Sequence, residues 1–157
     1  MKNYVITIRS NAMSVGAAGR CVTSGRNNNL KIEIFDAVTP NDDPVEMAES
    51  LGLNIDGFHN DQFYSRYENC VAAFMSHFSL WSMCYEQQEE FTIFEHDAAI
   101  TDIIPDTFFT GCTSLGKPSY GKFNILPMLR KTVLASKSYF HAAHACRVNP
   151  GGAKQSV

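Results

Sequence analysis

The chain has 157 residues, 45% hydrophobic and 18% charged, so it is long enough to bury a core and too apolar to be disordered as a whole. Its net charge is −3 and its basic residues are scattered, so the sequence has no basic cluster of the kind that binds nucleic acid. The cysteines are odd in number and have no zinc-type spacing, which predicts a reducing, cytoplasmic compartment. No apolar run is long enough to span a membrane. From the length we predict one domain over residues 1–157.

The first predicted elements are typical of a nucleotide-binding α/β domain. A buried strand over 4–8 is followed by Arg9 and by a weak helix over 12–24, and an alternating strand over 30–38 contains Asp36. An arginine near a strand end can bind a diphosphate, and an acid at the second strand can bind a ribose hydroxyl. Arg9 and Asp36 are therefore candidate nucleotide-binding residues. The alternatives are a solvated arginine and a loop-capping aspartate.

A turn and a short helix are predicted next. Asp43 is a suitable N-cap and Pro44 a suitable first residue for a helix that ends at Leu51, before Gly52. Residues 53–65 follow as a long irregular loop, of the kind that often covers a substrate.

The most informative stretch begins at Arg66 with an amphipathic helix. Its predicted buried face contains residues spaced by three and four: Cys70, Ala73, Phe74, His77, Phe78, Trp81 and Tyr85. Met75, Leu80 and Met83 widen that face, which predicts burial on more than one side. The apolar period ends at Gln87, and the run Phe91–Phe94 predicts a buried strand.

An acidic cluster follows that strand directly, as Glu95, His96 and Asp97. In open α/β sheets ligands bind at the carboxyl ends of the strands. Two carboxylates spaced by two residues can there hold Mg²⁺ or Mn²⁺, which usually bridges the protein to a substrate phosphate. The alternative is that Glu95 and Asp97 merely cap a following helix.

The C-terminal part predicts two further strands. The first covers 107–112 and is followed by a loop over 113–122; residues 123–130 are ambiguous because Pro127 interrupts them. The second strand covers 138–148 and contains His144, and a helix begins at Pro150. His141 and His144 are three residues apart, so in a strand they point to opposite faces and joint metal ligation is not expected.

Several of these motifs together resemble glycosyltransferase family 25, the lipopolysaccharide-type galactosyltransferases. The resemblance rests on Ser76-His77, on Leu80-Trp81, on the strand end Ile93-Phe94-Glu95-His96-Asp97-Ala98, and on the histidine-rich strand before Gly152-Ala153-Lys154. His96 replaces the middle acid of the family motif, whereas both outer acids are present. Family members usually continue further, so the chain is expected to lack the C-terminal acceptor segments.

The resemblance implies a glycosyltransferase-A-like fold, with a mixed, mainly parallel sheet flanked by helices. It also implies a metal-assisted, inverting transfer of a sugar, most plausibly galactose, from a UDP-sugar to a glycan or lipopolysaccharide hydroxyl. Asp97 and Glu95 would hold the metal, Mn²⁺ or Mg²⁺, and Ser76 and His77 would lie near the nucleotide. His144 and His96 are the candidates for the general base because imidazole titrates near neutral pH.

Two other classes of function remain open from the sequence. The chain can be a non-catalytic nucleotide-sugar or glycan-binding module, or a metal-dependent phosphate-ester hydrolase that uses the same acids. His77 can also be a hydrogen-bonded core histidine. The expected partners are a nucleotide-sugar donor and a glycan acceptor, without nucleic acid or a membrane span, and a homo-oligomer is not excluded.

Overall fold

The computed structural model describes residues 1–60, 66–104, 108–115 and 144–156. The strands are β1 (Lys2–Thr7), β2 (Glu33–Asp36), β3 (Phe91–Glu95), β4 (Cys112–Ser114) and β5 (Ala145–Val148). The helices are α1 (Ala12–Asn27), α2 (Pro44–Ser50), α3 (Tyr67–Gln87) and α4 (Pro150–Ser156). Short 3₁₀ helices occupy Pro40–Asp42 and Asp56–Asn60.

The strands form one mixed sheet in the order β2-β1-β3-β5-β4. β1 pairs in parallel with β2 and β3, whereas β5 pairs antiparallel with β3 and β4. The predicted α/β class with a mixed sheet and flanking helices is confirmed. Because β1, β2 and β3 are parallel, they end at one side of the sheet, which we call the carboxyl edge. β5 begins at that same edge, where the Glu95 N–H donates to the His144 carbonyl at 2.9 Å.

β3 is the central strand and is buried on both faces. Phe91, Ile93 and Phe94 are each at most 2% exposed, as the continuous apolar run predicts. One face of the sheet packs with residues of α3 and α4 in the cluster Tyr4, Leu80, Cys84, Phe91, Ile93, Cys146, Val148 and Ala153. The other face packs against α1 in the cluster Val5, Ala18, Cys21, Ile32, Phe94 and Ala145.

α1 follows β1 closely and is held to its end. The Asn11 side chain caps the helix by accepting from the backbone N–H groups of Met13 and Ser14. The Ser14 hydroxyl oxygen accepts from the Ile8 N–H at 2.9 Å, which fixes the turn after β1. The helix was predicted over 12–24 and continues to Asn27.

The predicted burial of α3 is confirmed in part. Met75, Phe78 and Leu80 are buried, whereas Ala73 and Tyr85 are exposed. The other buried residues of the helix are Val71, Ala72, Ser76 and Cys84. α3 packs between β3 and α4 on one side and α2 on the other, so two of its faces are covered, as the widened face predicted.

Two predicted strands have different bounds in the structure. β2 is shorter than the predicted 30–38, and β4 begins at Cys112 where the predicted strand over 107–112 would end. Gly111 adopts a φ of 79° and its carbonyl accepts from the Asn149 N–H at 3.1 Å, so the chain joins the sheet only after this residue. The helix from Pro150 and the core of the last strand are confirmed; the predictions for 116–130 and 138–143 lie outside the described residues.

None of the helices in the described ranges is both long and apolar enough to cross a bilayer.

Candidate functional site

The acidic cluster lies at the carboxyl edge, between two histidines that come from different parts of the chain. Glu95 is the last residue of β3, His77 projects from α3, and His144 directly precedes β5. One oxygen of the Glu95 carboxylate lies 3.8 Å from His77 Nε2, and the other lies 3.9 Å from His144 Nδ1. His144 Nδ1 also lies 3.6 Å from Asp97 Oδ1.

Glu95, Asp97 and His144 together form a candidate metal centre. Each offers one ligand atom, and the three atoms lie within 4.8 Å of one another. Their side chains are open to solvent, with Glu95 and His144 each 37% exposed and Asp97 56% exposed, so a hydrated ion can reach them. Two carboxylates and one imidazole are a donor set that suits Mn²⁺. The cluster therefore meets the chemical requirements of the predicted metal site.

His144 lies beside the acids because β5 pairs antiparallel with β3, so the residue before β5 is next to the end of β3. Ala145 is opposite Phe94 in the register of β5 with β3, which places His144 beside Glu95. The sequence predicted His144 as a candidate base, and it did not predict that this histidine meets both acids. No spacing rule connects residue 97 with residue 144, so only the strand order reveals the contact.

His77 lies at the inner side of this cluster. Its side chain is 15% exposed, and its ring packs at 6.0 Å between centroids from the ring of Trp81. It is therefore neither fully buried nor a free surface histidine. The hydroxyl of the neighbouring Ser76 makes its hydrogen bonds elsewhere.

Ser76 connects α3 to the loop that follows β2. Its hydroxyl donates to the Ala72 carbonyl at 3.0 Å and accepts from the Val38 N–H at 2.9 Å, and the residue is 1% exposed. These two bonds give the Ser76 side chain a structural role, in addition to its predicted position near the nucleotide. Contact of Ser76 with a nucleotide stays a prediction.

Arg9 and Asp36, the two candidates at the ends of β1 and β2, are paired with each other. The Arg9 Nε donates to Asp36 Oδ1, and both side chains are almost two-thirds exposed. A salt bridge this exposed contributes little to stability. Either side chain is therefore accessible to a ligand at the carboxyl edge, as their predicted roles require.

A groove of about 370 Å³ lies next to the acidic cluster. It runs between the loops after β1 and β2, the first half of α3 and the end of β3. The lining residues are Ile6, Ile8, Ala37, Val38, Thr39, Pro40, Asn69, Ala72, Ala73, Ser76, His77, Glu95 and His96. A mostly apolar cleft with a few polar groups, in this range of volume, is typical of small-molecule sites.

The helical lining of this groove was predicted in part. Asn69, Ala73 and Ser76 follow one another at spacings of four and three residues, and His77 lies four residues after Ala73, so they share one face of α3. Their small or polar side chains are the signal that distinguishes this face from the core faces of the helix. The predicted stripe included Ala73 and His77 as part of a buried face, and Asn69 was not predicted.

A second depression, of about 550 Å³, lies beside α2. Its lining includes the carboxylates of Asp43, Glu46, Glu49 and Glu68 and no basic side chain. A nucleotide diphosphate would be repelled there, so the groove at the carboxyl edge is the better candidate for a nucleotide.

One buried thiol lies close to the acids and is chemically inert. Burial, and secondarily the charge of Asp97, raise the pKa of Cys21 to about 11. The thiol is therefore protonated at neutral pH and is not a candidate nucleophile.

Comparison with known proteins identifies a family. The model of glycosyltransferase family 25 (LPS biosynthesis protein) matches residues 1–115, which include β1 to β3, α3 and both acids. His144 lies beyond the matched segment. A search of curated proteins gives no match to this chain.

Proposed function

Because the chain belongs to glycosyltransferase family 25, we propose that it transfers galactose from UDP-galactose to a hydroxyl of a glycan or lipopolysaccharide acceptor. The observation that carries the proposal is the convergence of Glu95, Asp97 and His144, of which Glu95 also lines the groove. A sugar-nucleotide donor needs an apolar cleft for its base and a divalent cation for its diphosphate. The groove and the side chains that could bind such a cation are adjacent at the carboxyl edge.

In this proposal the nucleoside occupies the groove and the diphosphate points towards the acids. Arg9 and Asp36 lie at the ends of the neighbouring strands, with Asp36 available to a ribose hydroxyl and Arg9 to a phosphate oxygen. Val38 and Thr39 line the wall opposite α3. The strand order is compatible with a glycosyltransferase-A arrangement, which we include in the proposal.

Asp97, Glu95 and His144 would hold Mn²⁺, or Mg²⁺ in its place, through two oxygens and one nitrogen. The ion would neutralise the negative charge that develops on the leaving diphosphate. His77 lies beside the Glu95 carboxylate on the side away from His144 and restricts the positions that this carboxylate can take.

An inverting transfer also needs a base to remove the proton of the acceptor hydroxyl. His144 and His96 were both candidates. If His144 is a metal ligand, its Nδ1 is committed to the ion, so we assign the role of base to His96, which lines the groove next to Glu95.

The proposal is tested by calorimetric titration of the protein with UDP and UDP-galactose, with and without Mn²⁺. We expect binding that depends on Mn²⁺ and that weakens at least about tenfold in Asp97→Asn and Glu95→Gln. Release of galactose from UDP-galactose, with water as acceptor, then measures turnover.

Glu86→Gln is the matched control, because Glu86 is an exposed residue near the end of α3 and lies outside the groove. It should bind the donor as the wild type does. A folded wild-type protein that binds neither ligand would overturn the donor site. Binding without turnover would instead support the alternative, a non-catalytic nucleotide-sugar-binding module.

A further inference from the structure

Cys112 and Cys146 lie next to each other on the antiparallel strands β4 and β5. In the register of these strands Ser114 is opposite Cys146 and Cys112 is opposite Val148. The two cysteines are therefore diagonal neighbours, and both side chains point to the same face of the sheet. Both also belong to the same hydrophobic cluster, in which Cys146 is buried and Cys112 packs at its margin.

The two thiols differ in exposure. Cys112 is half-buried, whereas Cys146 is 6% exposed. A hydrogen bond from the Cys146 thiol lowers the pKa of Cys112. Cys112 is therefore the thiol of the pair that an oxidant can reach, and its thiolate is stabilised.

Two of the other cysteines lack this reactivity. Burial raises the pKa of Cys84 to about 11, and its thiol donates to the Glu89 carbonyl at 3.0 Å. Cys21, whose pKa is also about 11, lies on the opposite face of the sheet. Neither is a thiolate at neutral pH.

We propose that Cys112 and Cys146 are a peroxide-sensitive dithiol whose oxidation links β4 to β5 by a disulfide. The Cys112 thiolate attacks hydrogen peroxide, which releases hydroxide and leaves a sulfenic acid on Cys112. The sulfur of Cys146 then attacks the sulfenic sulfur, the S–S bond forms, and the departing hydroxide takes up the Cys146 proton as water. Two thiols are oxidised and one peroxide is reduced to two waters.

The fold permits this bond with a small adjustment. Diagonal neighbours on paired strands lie about 7–8 Å apart at Cα, slightly beyond the usual disulfide range. β4 has three residues and pairs with β5 at the end of the sheet, so a shift of this short strand can close the gap. The proposal is independent of the donor site.

The test exposes the reduced protein to equimolar hydrogen peroxide and then labels the remaining thiols with a maleimide under denaturing conditions. Digestion should combine trypsin with a glutamyl endopeptidase. Trypsin alone leaves Cys70, Cys84 and Cys112 in one peptide, and the glutamyl endopeptidase alone leaves Cys112 and Cys146 in one peptide. We expect two fewer adducts than the five of the untreated protein and a crosslinked peptide that joins Cys112 to Cys146.

Variants separate this pair from other oxidations. Cys70→Ser should still lose two thiols, whereas Cys146→Ser should accumulate a sulfenic acid on Cys112 that dimedone traps. If Cys146→Ser does not fold, the wild-type peptide map and Cys112→Ser decide the question. Retention of all thiols, a crosslink between Cys84 and Cys146, a crosslink between two chains, or a sulfinic acid on Cys112 with free Cys146 would each overturn the proposal.

Discussion

At the scale of single residues, Ser76 shows how one hydroxyl can shape the groove. Its oxygen is the acceptor for the Val38 N–H, and Val38 lines the groove. The bond holds the loop after β2 against α3. Nearby, Asp42 accepts hydrogen bonds from the Thr39 hydroxyl and N–H, both at 2.7 Å, and the hydroxyl contact is the larger cause of a lowered pKa of Asp42. These side-chain contacts thus help to hold the groove wall, together with the backbone bond from the Ala37 N–H to the Thr7 carbonyl at 3.0 Å.

We expect Ser76→Ala to destabilise the protein by about 1–3 kcal/mol, because the Val38 N–H would lose its acceptor in a partly buried position. Ser79→Ala is the matched control. The Ser79 hydroxyl donates only within its own helix, to the Met75 carbonyl at 2.8 Å, so its loss should be nearly neutral. Urea unfolding measures both changes, and equal midpoints for the two variants would contradict the role given to Ser76.

At the scale of elements, the start of α4 is joined to the segment before β4 by a close backbone contact. Asn149 accepts from the Gly152 N–H at 2.9 Å and donates from its side chain to the Phe109 carbonyl at 3.2 Å. A Cβ on Gly152 would lie 2.4 Å from the carbonyl carbon and oxygen of Gly111. Gly152 is therefore required for α4 to pack at this place.

Gly152→Ala should lower the free energy of unfolding by about 1–3 kcal/mol, because backbone atoms must move to admit the methyl group. At Gly151 the nearest atom to a new Cβ is the Asn149 Oδ1 at 3.4 Å, so Gly151→Ala should change stability little. Thermal unfolding of the two variants provides the comparison. A Gly152→Ala protein as stable as Gly151→Ala would show that the contact is not close in solution.

At the scale of the whole molecule, ligand binding should increase the free energy of unfolding. The proposed site joins β3, β5 and α3, which are separated in sequence and would part on unfolding. A ligand that binds only the folded protein, at about one hundred times its dissociation constant, adds about 2.7 kcal/mol.

We therefore expect UDP together with Mn²⁺ to raise the melting temperature by about 5–10 °C. UDP with a chelator in place of Mn²⁺ should raise it much less, because the acids would repel the diphosphate. Differential scanning calorimetry measures the shift, with Asp97→Asn as the variant that should lose it. An equal shift in Asp97→Asn would assign the effect to a site elsewhere.

Local patterns were sufficient for β3 and for the acids at its end. Phe91–Phe94 form the buried central strand as predicted, because an apolar run with β-forming residues has few alternatives. Pro44 is likewise the first residue of α2, as predicted, although the Asp43 side chain makes no capping hydrogen bond. Burial of α3 on more than one side was also predicted, but the elements that cover it come from distant parts of the chain and were not.

The sequence by itself determined the α/β class, the end of β3 with Glu95 and Asp97, and the family, because each depends on short-range patterns. Only the tertiary structure decided which residues meet. The contacts of His144 with both acids, the pairing of Arg9 with Asp36 and the adjacency of Cys112 and Cys146 all follow from strand order and register. Strand order and register depend on the packing of the whole sheet, and no single stretch of the sequence specifies them.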